Sequence, residues 1–434
     1  MSVAIVIGGG ISGIASAVAL GDAGYDVCVV ESEEVLGGRI GSRRHGEVDI
    51  DLGGRNFGEE SHALLGLLER FGVDTLMDYH YNSASVGTRH WFDMRSGGRP
   101  TEIAARWARN LRVAGPRQLW RVRQVSRGAL GAVGGRMVGS PYWVDLAERT
   151  GDPTAAEYFG RNVTDAMFRP ITLRMMASEP EEVFLGNLGP FLGGRPRGMK
   201  RIAGGMAVFL RAVADQLDVR YRTTAQEVLV ERGRVVGVRL AGPDGRTTTE
   251  PADVVVLATP APVAAGLVPA LPALAAGLRR IAYRPVATVV AEYDDTAFPS
   301  DASGLFFPRD CVASHIARYD PHHRIRYSFA GVAGRAAMAG GSIEALLAEG
   351  EALFQRFGGR LGARRSHVGQ IWTPGLCGHS RMHHRTLADL RAASSEVGGL
   401  VLAGDYLRGN LLDACAHAAQ EAVAQLLAQR AAAA

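Results

Sequence analysis

Gly8-Gly9-Gly10-Ile11-Ser12-Gly13 is the cluster of residues in this chain with the plainest chemical use. Gly8 permits a tight turn, Gly10 lets the backbone approach a pyrophosphate, and Gly13 allows close contact between a helix and a strand. A helix opening at Ile11 and Ser12 presents unpaired N–H groups and its positive dipole end to phosphate oxygens. Glu31, further on, can accept hydrogen bonds from the hydroxyls of an adenosine ribose. This is chemistry for holding a dinucleotide.

The neighbouring residues supply the elements that must position these groups. Val3–Ile7 (VAIVI) is short, β-branched and apolar, as a strand buried on both faces is. Ile14–Leu20 (IASAVAL) has the small and apolar residues of a helix packed tightly on a sheet, and Gly24 ends it. Asp26–Glu31 (DVCVVE) reads as a second strand with the acid at its end. The whole is a βαβ unit with its glycines at the first turn.

A second set of glycines follows. Leu36-Gly37-Gly38-Arg39-Ile40 comes after Glu31, and Asp49–Gly54 (DIDLGG) leads into Arg55-Asn56-Phe57. Near the other end, Glu396–Ala403 (EVGGLVLA) reads as a turn and strand closed by Gly404-Asp405, and an alanine-rich helix runs from Leu411 to Gln429. In these motifs the chain resembles the flavoprotein superfamily of amine oxidases, protoporphyrinogen oxidases and phytoene-type desaturases. The resemblance implies FAD as cofactor. It lays Gly38 and Arg39 along the diphosphate and flavin edge, and passes the backbone of Gly53, Gly54, Arg55 and Asn56 against the isoalloxazine ring. It places Gly404 and Asp405 on the ribityl chain or diphosphate. The Leu411–Gln429 helix, with Leu412 in its first turn, then points its N-terminus at the flavin N1–C2=O edge, where its dipole would stabilise the charge of a reduced flavin. One departure stands in that helix: His417 and Ala418 occupy the place of a Ser-Gly pair. His417 either faces solvent or lies near the flavin and tunes its protonation.

The middle of the chain continues the likeness. Ala203–Leu217 looks like the "GGM" helix of these proteins, and Val219–Tyr221, Ala225–Glu231 and Val235–Leu240 form a meander with Gly233 at a hairpin turn. By the resemblance, Val228 meets the adenine through its backbone and Trp372 is the aromatic beside the flavin. The implied fold is α/β: a Rossmann-type FAD domain (1–75, 200–262 and 395–434) with a discontinuous α+β substrate domain (76–199 and 263–394). Residues 102–184 look largely helical, while 281–293 and 312–332 alternate like sheet strands. Many amine oxidases carry an active-site lysine near Ile281–Tyr293. Here Ala287 and Thr288 stand instead, and the single lysine, Lys200, lies elsewhere. The implied activity is hydride removal from a C–H bond beside an amine or in an allylic position of a small, lipophilic or specialised metabolite. Oxygen or another acceptor would take the electrons. The alternative is a non-redox isomerase or cyclase on the same fold. Catalytic side chains are not assigned.

Other features narrow the field. A net charge of +4 over 434 residues does not argue for nucleic acid. Arg106, Arg109, Arg112, Arg117, Arg121, Arg123 and Arg127, interleaved with Trp107 and Trp120, make a basic stretch that reads as a solvated helical face or a peripheral membrane contact. Cys28, Cys311, Cys377 and Cys415 stand singly, without metal spacing, and suit a reducing cytoplasm. His379, His383 and His384 include an i, i+4 pair, but no acid lies between them and no third ligand follows, so no metal is expected. Neither a signal peptide nor a membrane-spanning run is evident, which points to a cytoplasmic, at most membrane-peripheral, protein.

Overall fold

The computed structural model describes residues 2–79, 82–86, 100–102, 105, 108, 115–194, 198–320 and 323–433. Strands Val3–Ile7 and Asp26–Val30 form as the apolar runs require, joined by the helix Ile11–Asp22. They belong to a five-stranded sheet whose order is Leu400–Leu402, Val254–Leu257, Val3–Ile7, Asp26–Val30 and Asp218–Arg220. Every pairing in it is parallel. The first strand of the chain is therefore the central one, and residues hundreds of positions away flank it. Val254, Val255, Val256 and Leu257 are all fully buried, which explains why this strand reads as a continuous apolar run.

Two further layers complete this half. The C-terminal helix Leu412–Ala433 packs on the glycine-loop helix, with Ala416, Ala419 and Val423 meeting Ile14 and Ala15 in one core. Small residues at the contact let the two helix axes come close. On the other face lies the antiparallel meander Thr224–Glu231, Arg234–Ala241 and Thr247–Pro251, whose Val228, Val238 and Leu240 join a second core with Val255 and Leu257.

The other half is built on a six-stranded sheet in the order Arg364–Cys377, Tyr283–Tyr293, Arg324–Phe329, His315–Arg318, Gly304–Phe306 and Ser83–Ser85. Its neighbours are antiparallel except at the last pair. Cross-strand partners share a face, so the register sorts the side chains into two sets. Ala287, Phe329, Val289, Tyr327, Ile316 and Leu305 point to one side and pack on Leu346, Leu347 and Phe354 of the helix Ile343–Arg356. The other face carries Trp372, Gln370, Thr288, Ser328, Arg326 and His315. That second face is mixed: Val286, Val290, Val368 and Phe306 stand among its polar side chains. Residues 116–192 fold mainly as short helices around Trp143, Phe159 and Phe168.

Candidate functional site

The glycine loop is held by its own geometry. Gly8 has φ +105°, and a Cβ on Gly13 would lie 1.9 Å from the Gly8 carbonyl oxygen, so helix and strand touch backbone to backbone there. Glu31 is fixed by the loop it serves: the Gly9 amide donates to Oε2 at 2.8 Å and the Glu33 amide to Oε1 at 2.9 Å. Gly9 is thus a positioning residue that the glycine spacing alone did not single out.

Two glycines are different. A Cβ on Gly10 would meet nothing nearer than the Gly37 carbonyl at 3.9 Å, and one on Gly38 nothing nearer than Gly10 at 4.0 Å. Protein packing therefore does not require glycine at either place. The two lie within van der Waals reach of each other, Gly38 at φ +50° where glycine is favoured, and together they present bare backbone such as a bound diphosphate would lie against. Gly53, by contrast, is packed hard, with a Cβ only 2.0 Å from the Arg39 carbonyl oxygen. Gly54 next to it is exposed, and Leu412 at the start of the C-terminal helix lies 3.5 Å from where its Cβ would be. The helix start thus faces the Gly53–Asn56 segment. An open cradle, a fixed acid and a helix terminus at the far end together fit FAD.

Arg39 and Asp405, 366 positions apart, form an ion pair at 2.5 Å. Arg39 also donates to the Gly375 carbonyl, and Asp405 accepts from the Tyr283 hydroxyl. Burial alone would raise the Asp405 carboxyl, but Arg39 beside it, with hydrogen bonds from Arg39 and Tyr283, holds it below the usual carboxylate range. The same burial drives the Tyr283 phenol well above its ordinary value, reinforced by Asp405, so Tyr283 stays a donor. Arg39 is surrounded by protein yet its side chain keeps 26% of its accessible surface, which places it on the wall of an internal space.

The Gly404-Asp405 turn is braced from behind by two histidines. His379 Nε2 donates to the Asp405 carbonyl at 3.2 Å, and His383 Nε2 to the Tyr406 carbonyl at 2.7 Å. Burial, then repulsion between the two rings, lowers His383 to about 3. These neutral rings are braces for backbone, and among the described residues no group of His, Cys, Asp or Glu could hold a metal. His384 pairs with Glu148 instead.

Asp51 ties the Asp49–Gly54 segment to its surroundings. Its carboxylate accepts from the Met206 amide at the start of the helix Met206–Ala214 and from the Ser42 hydroxyl, and its amide donates to the Tyr319 hydroxyl. Arg326, from the mixed face of the second sheet, donates to the carbonyls of Asp51, Leu52 and Gly53 at 2.7–3.1 Å. Trp372 packs in the same cluster with Ile50, Leu52, Val290 and Tyr319. Ala287 turns into the helix-side core and Thr288 faces this site. Tyr283, Arg326 and Tyr319 were not foreseen. Tyr283 and Arg326 come from strands and Tyr319 from the residue after one, 122, 275 and 268 positions from the residues they hold, with no local motif.

The Val228 amide donates to the Leu267 carbonyl at 2.7 Å and its side chain is fully buried, so that N–H is not available to an adenine. The part of the meander beside the ribose acid is Thr223, whose amide donates to the Glu31 carbonyl. His417 is exposed, with its charge acting on Glu421, while Ala416 and Ala419 are the residues facing the glycine-loop helix. Solvent exposure, not a place at the flavin, describes it. Of the basic stretch, residues 106, 107, 109 and 112 lie outside the described residues; Arg117, Arg121, Arg123 and Arg127 stand on the helix Pro116–Gly131.

A Rossmann-type nucleotide cradle joined to a mixed sheet face defines the class as a two-domain flavoprotein. Residues 11–427 match the family described as flavin containing amine oxidoreductase. The chain belongs to that family, and its cofactor is FAD. The chain is 40% identical over 87 residues to amine oxidase [flavin-containing] B of Cavia porcellus, a match covering 20% of this chain and 16% of that protein. The human enzyme of that name is also 40% identical, over 72 residues that cover 16% of this chain and 14% of that protein. These curated relatives are thus matched over less than a fifth of their length. Among solved structures, a candidate protoporphyrinogen oxidase from Exiguobacterium sp. 255-15 superimposes with TM-score 0.73 at 19% identity, covering 99% of both chains. Cyclohexylamine oxidase from Brevibacterium oxydans IH-35A gives 0.68 at 19% identity, again over 99% of both. A CLA-producing fatty acid isomerase from P. acnes gives 0.68 at 14% identity over 98% of both. Likeness at this identity is likeness of fold.

Proposed function

We propose that this protein removes a hydride from a C–H bond of a small molecule, one adjacent to an amine or in an allylic position. The observation that carries the reading is the mixed sheet face of Trp372, Gln370, Thr288, Ser328, Arg326 and His315, laid against the Asp51–Asn56 segment. FAD, when bound, supplies the electron acceptor for the hydride and passes the electrons to oxygen or another acceptor. Gly10, Ile11 and Ser12 offer backbone amides to its diphosphate, Gly8 and Gly13 shape the turn and the helix–strand contact that aim them, Glu31 takes its ribose, and Arg39 and Asp405 the stretch between. The start of the helix at Leu412 favours negative charge at the flavin edge it faces. Gly53, Gly54, Arg55 and Asn56 keep side-chain bulk off one side of the ring, while Trp372 gives the substrate a flat wall. Thr288 brings a neutral hydroxyl where many relatives bring an ammonium.

The same reading divides the chain into an FAD domain (1–75, 200–262 and 395–434) and a substrate domain (76–199 and 263–394). It also keeps peripheral membrane contact through the basic stretch of 106–127. Anaerobic mixing of the flavin-loaded protein with candidate substrates tests the reaction: the flavin absorbance should bleach in one turnover. A substrate converted to an isomer with the flavin still oxidised would replace the redox reading with the isomerase one.

A further inference from the structure

The five-stranded sheet ends on Leu400–Leu402, and the outer edge of that strand pairs with no other strand. On its inner edge the Val255 amide donates to the Gly399 carbonyl, and the Ala403 amide donates to the Leu257 carbonyl. Backbone groups in a parallel pair face the neighbour at alternate residues, so Val401 bonds inward while Leu400 and Leu402 direct theirs outward. The Leu400 amide is taken by the Val397 carbonyl. That leaves the Leu400 carbonyl, the Leu402 amide and the Leu402 carbonyl, to which none of the described residues makes a hydrogen bond. Leu400 and Leu402 are buried, and backbone groups in such places are nearly always paired.

The strand edge opens into a groove of about 390 Å³, the size of a small-ligand cleft, between the helices His383–Ser395 and Leu412–Ala433. Leu390, Val397, Leu407, Ala418, Ala422 and Leu426 give it apolar walls. None of the residues assigned above to FAD or to the substrate face lines it. Its charged lining is Arg391, Arg408 and Glu421. Arg408 and Glu421 neutralise each other through two hydrogen bonds of 2.9 and 2.6 Å. The Arg391 guanidinium makes no hydrogen bond or ion pair among the described residues, and the residue stays exposed at the rim. Partial burial, then the like charge of Arg408, lowers it from the ordinary arginine value, with Glu421 acting the other way. The groove thus offers a positive charge beyond the Arg408–Glu421 pair, beside a row of acceptor, donor and acceptor.

We propose that this groove takes the extended carboxyl-terminal residues of a partner polypeptide, added as a further strand beside Leu400–Leu402 with the terminal carboxylate on Arg391. An extended backbone presents donor, acceptor and donor in alternation, which is what the Leu400 carbonyl, the Leu402 amide and the Leu402 carbonyl require. Small apolar side chains suit the walls. The carboxylate supplies the charge opposite Arg391, and guanidinium–carboxylate pairs are the stronger class of hydrogen bond. This surface is built whatever reaction the flavin performs, so it stands apart from the hydride-transfer reading.

Two fluorescein-labelled pools of tripeptides of Ala, Val and Leu, alike except for a free carboxylate or an amide at the C-terminus, test the proposal. Anisotropy with the flavin-loaded full chain should show saturable binding of the acid pool and about tenfold weaker binding of the amide pool. Arg391→Gln, on an exposed side chain, should weaken the acid pool about tenfold while the flavin content stays at the wild-type level. Arg391→Lys, which keeps the charge and loses the fork, should retain part of the affinity. Methylating the peptide nitrogens should abolish binding, because it removes the donors that the Leu400 and Leu402 carbonyls need. Hydrogen exchange at the Leu402 amide should slow when the acid pool is bound. Equal binding of the acid and amide pools, tolerance of N-methylation, or an unslowed Leu402 amide overturns the proposal. Absence of saturable binding by the acid pool overturns it as well and leaves the groove to water. None of these readouts involves turnover, so the hydride-transfer reading and this one can fail separately.

Discussion

At the scale of single residues, the glycines divide by what surrounds them. Gly53 is glycine because the Arg39 carbonyl leaves no room, and Gly10 is glycine although the protein leaves ample room. Alanine should separate the two causes. Gly53→Ala forces a contact of about 2.0 Å with backbone, and should lower the Tm of the FAD-free protein by a few degrees, on the order of 1–3 kcal/mol. Gly10→Ala, at φ −78°, should leave that Tm within about a degree and weaken FAD instead, read as flavin retained through gel filtration. A Gly10→Ala protein that melts early but keeps its flavin would remove the cradle argument. The glycine run, the Arg39 motif and Asp405 were legible because each is a short string with one geometric meaning. That the Val228 amide donates to Leu267 was not legible, because strand alternation reveals which way a side chain points but not where its amide donates. Gly9, Tyr283 and Arg326 were illegible for another reason: their partners are Glu31, Asp405 and the Asp51–Gly53 carbonyls, which the fold alone brings near.

Elements show the same division between local and distant information. The strands Val3–Ile7 and Asp26–Val30 fall within one residue of their expected bounds, since buried parallel strands write continuous apolar runs. The second sheet's division into an apolar and a mixed face was hidden, because register between strands decides it. Among helices, Pro116–Gly131 bears the testable surface. Trp120 on it is 61% exposed and Val133 just beyond is 92% exposed, with Arg117, Arg123 and Arg127 nearby in sequence. If this stretch touches membranes, vesicles with one-third anionic lipid should carry the protein upward in flotation, and 0.5 M salt should release most of it. Trp120→Ser should reduce flotation several-fold. Flotation unchanged by Trp120→Ser would assign the contact elsewhere, and none at low salt would leave this helix as an ordinary solvated face. Among the described residues no helix is long and apolar enough to cross a membrane.

For the whole molecule, the buried histidines set how stability answers to pH. His383 titrates in the folded chain near 3, His379 below its ordinary value and His315 well below it, each chiefly through burial. A group whose folded value is depressed contributes stability that is full above its unfolded value, about 6.5, and is lost as the pH falls toward the folded value. The FAD-free protein should therefore hold its Tm above pH 7 and lose it steadily from about pH 6.5 downward, before most carboxylates titrate. His383→Asn should flatten that slope; an unchanged slope would place the acid sensitivity elsewhere. The order of the five-stranded sheet has one more consequence. Val3–Ile7 stands at the centre, while Leu400–Leu402, Asp405 and the helix Leu412–Ala433 come later in the chain than every strand of the second sheet. A growing chain thus owns the glycine loop long before the Ala258–Thr259 segment that packs on it and the counter-charge to Arg39. A chain interrupted before residue 405 would keep the loop and lack the acid paired with Arg39, and so should retain less flavin through gel filtration than the full chain.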